Sequence, residues 1–588
     1  MPTLVLLFNI FASSLLIIIT ATTSLDYNRA VSSSSGNDII RSLCSTTLYP
    51  DICYSSIISS NSYATILLSR EVAIGITAKK DVIEVAINKT KDTIQDNIHN
   101  IQKLIMRIKV TNKHSKIMAL DDCLQMGDAT LQGLDMVIQQ LRDYQYPTSN
   151  KRHAHQHLIS LMSTTITNKE TCLDSLSYSV DDDDDDDDTA SSKELIIKGQ
   201  EHAGKMCSNV LAMINNITTP PDTASQNHHH HQLNGRKNLK EEEEDEDEDE
   251  VVIWPNWLSG GDARKLLGLW GVKPNVTVSA NGKGDYKTVT EAVEAAPLKS
   301  DKRYVIKITA GVYKENVEIP KHKRNIMFLG DGRGNTIITG NKSYASGITT
   351  YKTATVAVIG DRFLARDITF QNTAGPSGHQ AVALLVRSDL SAFYRCGMDA
   401  YQDTLYVHSN RQFYVKCFVL GTIDFIFGDA TAVFQFCDIF ARLPNPNQKN
   451  MVTAQGRTDG NQNTGIVIHK CKIGATSDLK AVQTNYSTYL GRPWKKYSRT
   501  VVMQSSITDV IHPEGWYPWE KGSDFALDTL YYREYRNSGS GSNTSKRVNW
   551  KGWGVIKDKN EAKSFTVAKF IDGWGWLPST NFPFWPGL

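Results

Sequence analysis

Hydrophobic residues follow two different rhythms along the 588-residue chain. Between 38 and 217 they recur at steps of three, four and seven, as in Ile87, Ile94, Ile98, Ile101, Ile105 and Ile108, and again in Leu120, Leu124, Leu131, Leu134, Ile138 and Leu141. Such spacing lays a stripe along one face of a helix. Two weaker periodic segments, 158–173 and 195–214, make an all-α four-helix bundle the economical prediction, with the stripes as its core. From 274 the rhythm shortens. PNVTVSANGKGDYKTVTEAVEAAP reads as a strand, a Gly-containing turn and a short helix, and YVIKITAGVY, NIMFLGDG, NTIITG and ATVAVIG follow as short strands between Gly and Asn turns.

This second region also repeats. FYRC (393–396), FYVKC (413–417), FQFC (434–437) and IHKC (468–471) share an apolar-polar alternation ending in Cys, and Cys396 lies 21 residues before Cys417. A period in the low twenties predicts a solenoid, here an all-β right-handed parallel β-helix in which residues one period apart stack about 4.8 Å apart. The wider gap from Cys437 to Cys471 predicts that ARLPNPNQKNMVTAQGRTDGNQ leaves the solenoid.

Stacking gives four polar residues a possible chemistry. Asp403 and Asp424 are also 21 residues apart, and Gln380 and Gln402 accompany them. Carboxylates one coil apart do not both ionise easily, so one keeps a proton while the other stays an anion; together they supply a general acid and a nucleophile. Neutral amides beside them are the donors an oxyanion needs. On spacing alone, two Asp that merely cap turns fit equally well.

Composition sharpens the class. The formal charge of +1 hides segregation, because 181–188 and 241–250 hold 18 of the 63 acidic residues and leave 64 basic against 45 acidic elsewhere, a balance of +19. A basic body suits a polyanionic partner. Nucleic acid is one such polyanion, but no nucleic-acid-binding motif is visible. The apolar run TLVLLFNIFASSLLIIITA (3–21) reads as a secretory signal within 1–24. It has no Lys or Arg before Arg29 and approaches the length of a membrane span, so a signal-anchor is the alternative. Six N-x-S/T sequons, at Asn88, Asn216, Asn275, Asn341, Asn485 and Asn543, agree with passage through the secretory lumen. There, Cys44 with Cys53 and Cys123 with Cys172 are expected to form disulfides, as are Cys396 with Cys417 and Cys437 with Cys471; Cys207 is left over as a buried thiol.

Two segments resist folding. The Asp run 181–188 reads as a solvated insert in the bundle without the fixed geometry of a calcium site. Residues 218–267 form a low-complexity acidic linker, whose His228–His231 run reads as a solvated tract rather than a metal site. The linker ends in the dibasic word Arg264-Lys265-Leu266-Leu267, an exposed position suited to a processing protease.

Five ordered words carry a resemblance: GVYKE (311–315), QAVAL (380–384), YQDTLY (401–406), GTIDFIFG (421–428) and LGRPW (490–494). Over 273–576 the chain resembles the plant pectin methylesterases. The resemblance implies a metal- and cofactor-free hydrolysis of C6 methyl esters in cell-wall homogalacturonan, with Asp424 as nucleophile, Asp403 as proton donor and acceptor, and Gln402 and Gln380 as oxyanion donors. Arg492 would orient Asp424 and Trp494 would stack on a sugar ring, with Thr350 and Trp516 as further groove-lining candidates. Arg533 departs from the family, which has Gly there, and requires a backbone outside the left-handed region or space beyond it. The words YPDIC (49–53) and ALDDC (119–123) resemble the pectin methylesterase and invertase inhibitor family. An inhibitor-like bundle before an esterase implies an autoinhibitory or trafficking pro-region, processing by a subtilisin-like protease in 264–267, possible separate inhibitor proteins as partners, and secretion to the plant cell wall. The rival readings are an inactive pectin-binding wall protein, and a calcium-dependent lyase or polygalacturonase on the same fold.

Overall fold

A computed structural model of the protein describes residues 38–59, 76–109, 114–143, 151–177, 187–218 and 273–588. The signal or anchor segment, the linker with its 264–267 word, and 181–186 of the Asp run lie outside the described residues.

A short helix, α1 (Pro50–Ile58), precedes four long ones: α2 (Ile76–Ile108), α3 (His114–Asp143), α4 (Lys151–Ser177) and α5 (Asp187–Thr218). The four pack on one another as the apolar stripes predict, with Ile87, Ile94, Leu134 and Leu141 buried among them. The last two residues of the Asp run, Asp187 and Asp188, already belong to α5. Two disulfides brace this region, Cys44–Cys53 beside α1 and Cys123–Cys172 joining α3 to α4, while Cys207 is a buried free thiol.

Residues 273–588 form the β-helix. Every strand pairing is parallel, and successive coils contribute to sheets of eleven, seven and eight strands. The seven-stranded sheet positions the site; its strands in chain order are β1 (Val317–Ile319), β2 (Val356–Val358), β3 (Leu384–Val386), β4 (Leu405–Val407), β5 (Ile426–Gly428), β6 (Asn450–Gln455) and β7 (Thr488–Gly491). Register is set by what points inward. Phe393, Tyr414 and Phe434 pair across neighbouring coils, and their rings stack 4.8 and 4.5 Å apart. Between the first two strands of the eleven-stranded sheet, Val276–Val278 and Tyr304–Ile308, lies the helix Val289–Ala295, whose start is fixed by a Thr288–Glu291 capping box. Strand β6 falls within the predicted excursion after Cys437, so that stretch rejoins the solenoid for one full strand between two loops.

The cysteine expectation needs correction on this domain. Cys396, Cys417, Cys437 and Cys471 are all free and buried. They form a second inward column, in register coil upon coil, so their side chains run parallel, whereas a disulfide needs them turned towards each other. Each thiol instead lies within hydrogen-bonding reach of a backbone carbonyl: Tyr394 for Cys396, Phe393 for Cys417, Tyr414 for Cys437 and Phe434 for Cys471. Thiol titration without reductant is therefore expected to find none of these groups in the native protein and five after unfolding, Cys207 included. A count of one or three would restore a bridge to the column.

Arg533 sits in the strand Tyr531–Tyr535 outside the left-handed region, with its guanidinium 4.1 Å from the Tyr531 ring centroid. The departure from Gly is accommodated without backbone strain.

The outward residues of the seven-stranded sheet are unusually apolar for a surface. Ala357, Leu385, Tyr406, Phe427 and Ala454 align across it, and they share one cluster with Ile101, Leu104, Leu120, Met126 and Leu176 of the bundle. The bundle thus rests on this sheet through α4. Thr164 bonds Asn410 at 2.9 Å, Thr167 bonds Asp429 at 2.7 Å, Thr171 bonds His408 at 2.9 Å and Asn168 accepts from Arg387 at 3.1 Å. The polar face of α4 reads almost one partner per turn along the β-helix.

Candidate active site

Asp403 and Asp424 occupy matching positions on successive coils, each two residues before a strand, since Leu405 of β4 pairs with Ile426 of β5. Both have left-handed backbones, with φ of 62° and 51°. Asp tolerates this region better than most residues, at a cost of roughly 1 kcal/mol, and such outliers cluster at functional sites. Repetition of the same unusual conformation turns both carboxyls to the outer face of the sheet, where they line one cavity of about 120 Å³.

Their environments differ. Arg492, directly after β7, grips Asp424 with two parallel bonds, Nε to Oδ1 at 2.8 Å and Nη2 to Oδ2 at 2.6 Å. The guanidinium is itself held by a bond to the Trp519 carbonyl at 3.3 Å and lies 4.3 Å from the centre of that ring. A bidentate arginine fixes the direction of the carboxyl it holds. Asp403 receives no such partner. Burial, with the charge of Asp424 added to it, pushes Asp403 well above the usual carboxylate range against the weaker pull of Arg492. One carboxyl is thereby held in a fixed direction by a cation, and its neighbour is built to carry a proton.

Gln380 and Gln402 line the same cavity, as do Thr350, Tyr351, Tyr406, Phe427, Trp494 and Trp519. Trp494 is seated against Gly456, where a Cβ would come within 2.8 Å of its ring, and packs edge-on to Phe427 at 5.8 Å. The Thr350 hydroxyl is buried and has no protein partner, leaving it free for a ligand. The structure therefore brings together Asp403, Asp424, Gln380, Gln402, Arg492, Trp494 and Thr350. It does not bring Trp516: this ring is fully buried, stacked 4.2 Å from Tyr532 and bonded through Nε1 to Glu534. Burial in the solenoid interior corrects its assignment to the groove, and Trp519, in the same WYPW word, takes that place. Tyr406 and Phe427 are the middle, outward positions of β4 and β5, and both lie in the words YQDTLY and GTIDFIFG.

The cavity is closed from above by the bundle: Thr171, Asp174 and Ser175 of α4 form part of its wall. Small-molecule sites usually begin at about 300 Å³, so a space this size admits little more than waters.

Residues 275–574 match the family model described as Pectinesterase, and 38–213 match the model described as Plant invertase/pectin methylesterase inhibitor. The chain is 53% identical over 556 residues to pectinesterase/pectinesterase inhibitor U1 of Solanum lycopersicum, spanning 95% of this chain and 90% of that one. It is 51% identical over 552 residues to pectinesterase 2 of Arabidopsis thaliana, spanning 94% and 90%. Among solved structures, a pectin methylesterase from carrot aligns with a TM-score of 0.53 at 66% identity, over 54% of this chain and 99% of its own length. That share of this chain is about the length of the β-helix, residues 273–588.

Proposed function

Because the chain belongs to the pectinesterase family, with an inhibitor domain of the plant invertase/pectin methylesterase inhibitor type in front of it, we propose that the cavity residues divide the labour of methyl-ester hydrolysis between two aspartates. Pectinesterases are carboxylic ester hydrolases, so the C6 carbonyl of a methyl-esterified galacturonate is the electrophile. Asp424, aligned by Arg492, attacks that carbon. The oxygen that gains charge accepts hydrogen bonds from the side-chain amides of Gln380 and Gln402. Asp403 gives its proton to the leaving methanol, then takes one from the water that hydrolyses the acyl-enzyme. The carrying observation is the asymmetry of the pair: one carboxylate is bidentately held and its neighbour has its proton affinity raised, in a single pocket. Release of methanol from highly methyl-esterified pectin with no change in chain length tests the reading, since a lyase or a polygalacturonase would shorten the polymer. Removing either amide, in Gln380→Ala or Gln402→Ala, is expected to lower kcat about 100-fold with a smaller change in KM.

The inhibitor domain acts as an intramolecular inhibitor. Support comes from α4, which walls the cavity and leaves no room for a polysaccharide. A subtilisin-like protease cutting in 264–267 would release it, and a separate inhibitor protein of the same fold would compete with it for the seven-stranded sheet. Secretion to the plant cell wall is favoured by the two disulfides of the bundle, which suit an oxidising compartment. Among the described residues no helix is long and apolar enough to cross a membrane.

A further inference from the structure

Two lysines beside the cavity take their counter-charges from the bundle. Lys495, next to Trp494, has its ammonium 2.6 Å from Asp174 Oδ1 and 3.1 Å from Glu170 Oε2, both on α4. Lys352, two residues after Thr350, lies 3.3 Å from Asp121 and 3.6 Å from Asp122, both on α3. Among the described residues the β-helix itself offers neither lysine a carboxylate within ion-pair distance. Two cations without acidic partners of their own domain, next to a pocket lined by aromatic rings, make poor sense for an isolated β-helix but suit a polyanionic chain.

The contact at Lys495 is more than an interface ion pair. Asp174 lines the catalytic cavity, and its Oδ2 is buried without a hydrogen-bond partner. The Lys495 ammonium sits 5.2 Å from the centre of the Trp494 ring. A carboxylate on a cation, beside an indole facing the site, is the arrangement a uronate adopts when its ring stacks and its acid group is paired. On the other flank, Asp122 Oδ2 accepts from Thr349 at 2.6 Å and Ser175 at 3.0 Å, tying the second acid pair to the cavity wall.

We propose that Lys495 and Lys352 are specificity residues that bind free carboxylates of partly de-esterified pectin flanking the ester under attack, and that α3 and α4 close the cleft by supplying carboxylates in their place. This rests on the catalytic reading given above. Each ester cleaved leaves a free acid on the polymer, so the lysines would hold the enzyme next to its own product and direct it towards esters in partly cleaved stretches.

The test uses residues 268–588, with thermal melts to establish that each variant is folded. Lys495→Gln and Lys352→Gln are each expected to lower the ratio of kcat/KM on partly over fully esterified pectin about tenfold and to raise the inhibition constant of polygalacturonate by a similar factor, with Lys495→Arg restoring most of the loss. An unchanged ratio and an unchanged inhibition constant would overturn the proposal, as would an equal loss on both pectins. Calorimetric binding of polygalacturonate to Asp424→Ala protein, with and without Lys495→Gln, reports on the lysines even if the assignment of the nucleophile fails. In the full chain, Glu170→Gln together with Asp174→Asn is expected to raise methanol release about tenfold, and no rise would sink the claim that these acids block the cleft.

Discussion

Asp424→Ala is expected to lower methanol release by about 10⁴-fold or more, equivalent to roughly 5 kcal/mol or more of transition-state stabilisation. In the mechanism proposed above the substitution removes the attacking atom, and it strands Arg492, two of whose bonds go to that carboxylate. A fully buried guanidinium that loses its partner destabilises the fold by about 3–5 kcal/mol; the cost is smaller here because Arg492 is only partly buried and Trp519 still holds it. Asp424→Asn separates the two effects. Asn tolerates the left-handed backbone at φ 51° and preserves the shape of the site, so the melting temperature should stay near wild type while activity is still lost. Turnover within tenfold of wild type in Asp424→Asn would remove Asp424 from the role of nucleophile.

The second large effect is release from the bundle. Full-length protein with an intact linker is expected to turn over pectin at least about 100-fold more slowly than residues 268–588, because α4 walls the cavity and leaves it only about 120 Å³. This brake should weaken as pH rises. Asp122, on α3 at the interface, is pushed up to about 6 by burial, only partly opposed by its bonds from Thr349 and Ser175 and by Lys352. Asp429, which accepts from Thr167 of α4, is pushed up to about 7, again by burial. In the docked state these carboxyls hold protons below those values and are anions above them, where Asp122 faces Lys352; with the cover of the partner domain removed, both would ionise at lower pH. Their contribution to docking is therefore complete below about pH 4 and is lost as pH climbs through 6 to 7. For Asp122 alone the difference amounts to at most about 3 kcal/mol. Titrating inhibition of the β-helix by the cut bundle between pH 4 and 8 checks the sign: the dissociation constant should rise at least tenfold, and a constant that falls with pH would refute it.

Much of this was legible in the chain because a solenoid writes its geometry as a period. Asp403 and Asp424 could be placed side by side from a spacing of 21 residues, and Cys396 could be placed on Cys417 from the same count. What the period does not carry is direction. It put the four cysteines one coil apart but not parallel to one another, and so suggested bridges where the structure has free thiols. It also could not separate Trp516 from Trp519, three residues apart in a turn where one ring faces the interior and the other the cavity. The covering of the site by α4 was invisible for another reason. Its contacts to Asn410, His408, Asp429 and Lys495 join residues more than 200 positions apart, and nothing in the spacing of a helix names the surface it will meet.

The stacked coils also set limits on how this protein can change length. Turns at the corners of the solenoid tolerate growth, as the detour between Cys437 and Cys471 demonstrates, because the extra chain loops outward before the next strand resumes its register. Between 403 and 424 there is no such freedom. A single inserted or deleted residue inside a strand there would invert the alternation, turning outward side chains into the core and pointing one aspartate away from its twin. Lineages of this enzyme should therefore show gaps and insertions elsewhere around the helix, while the count from one acid to the other stays fixed.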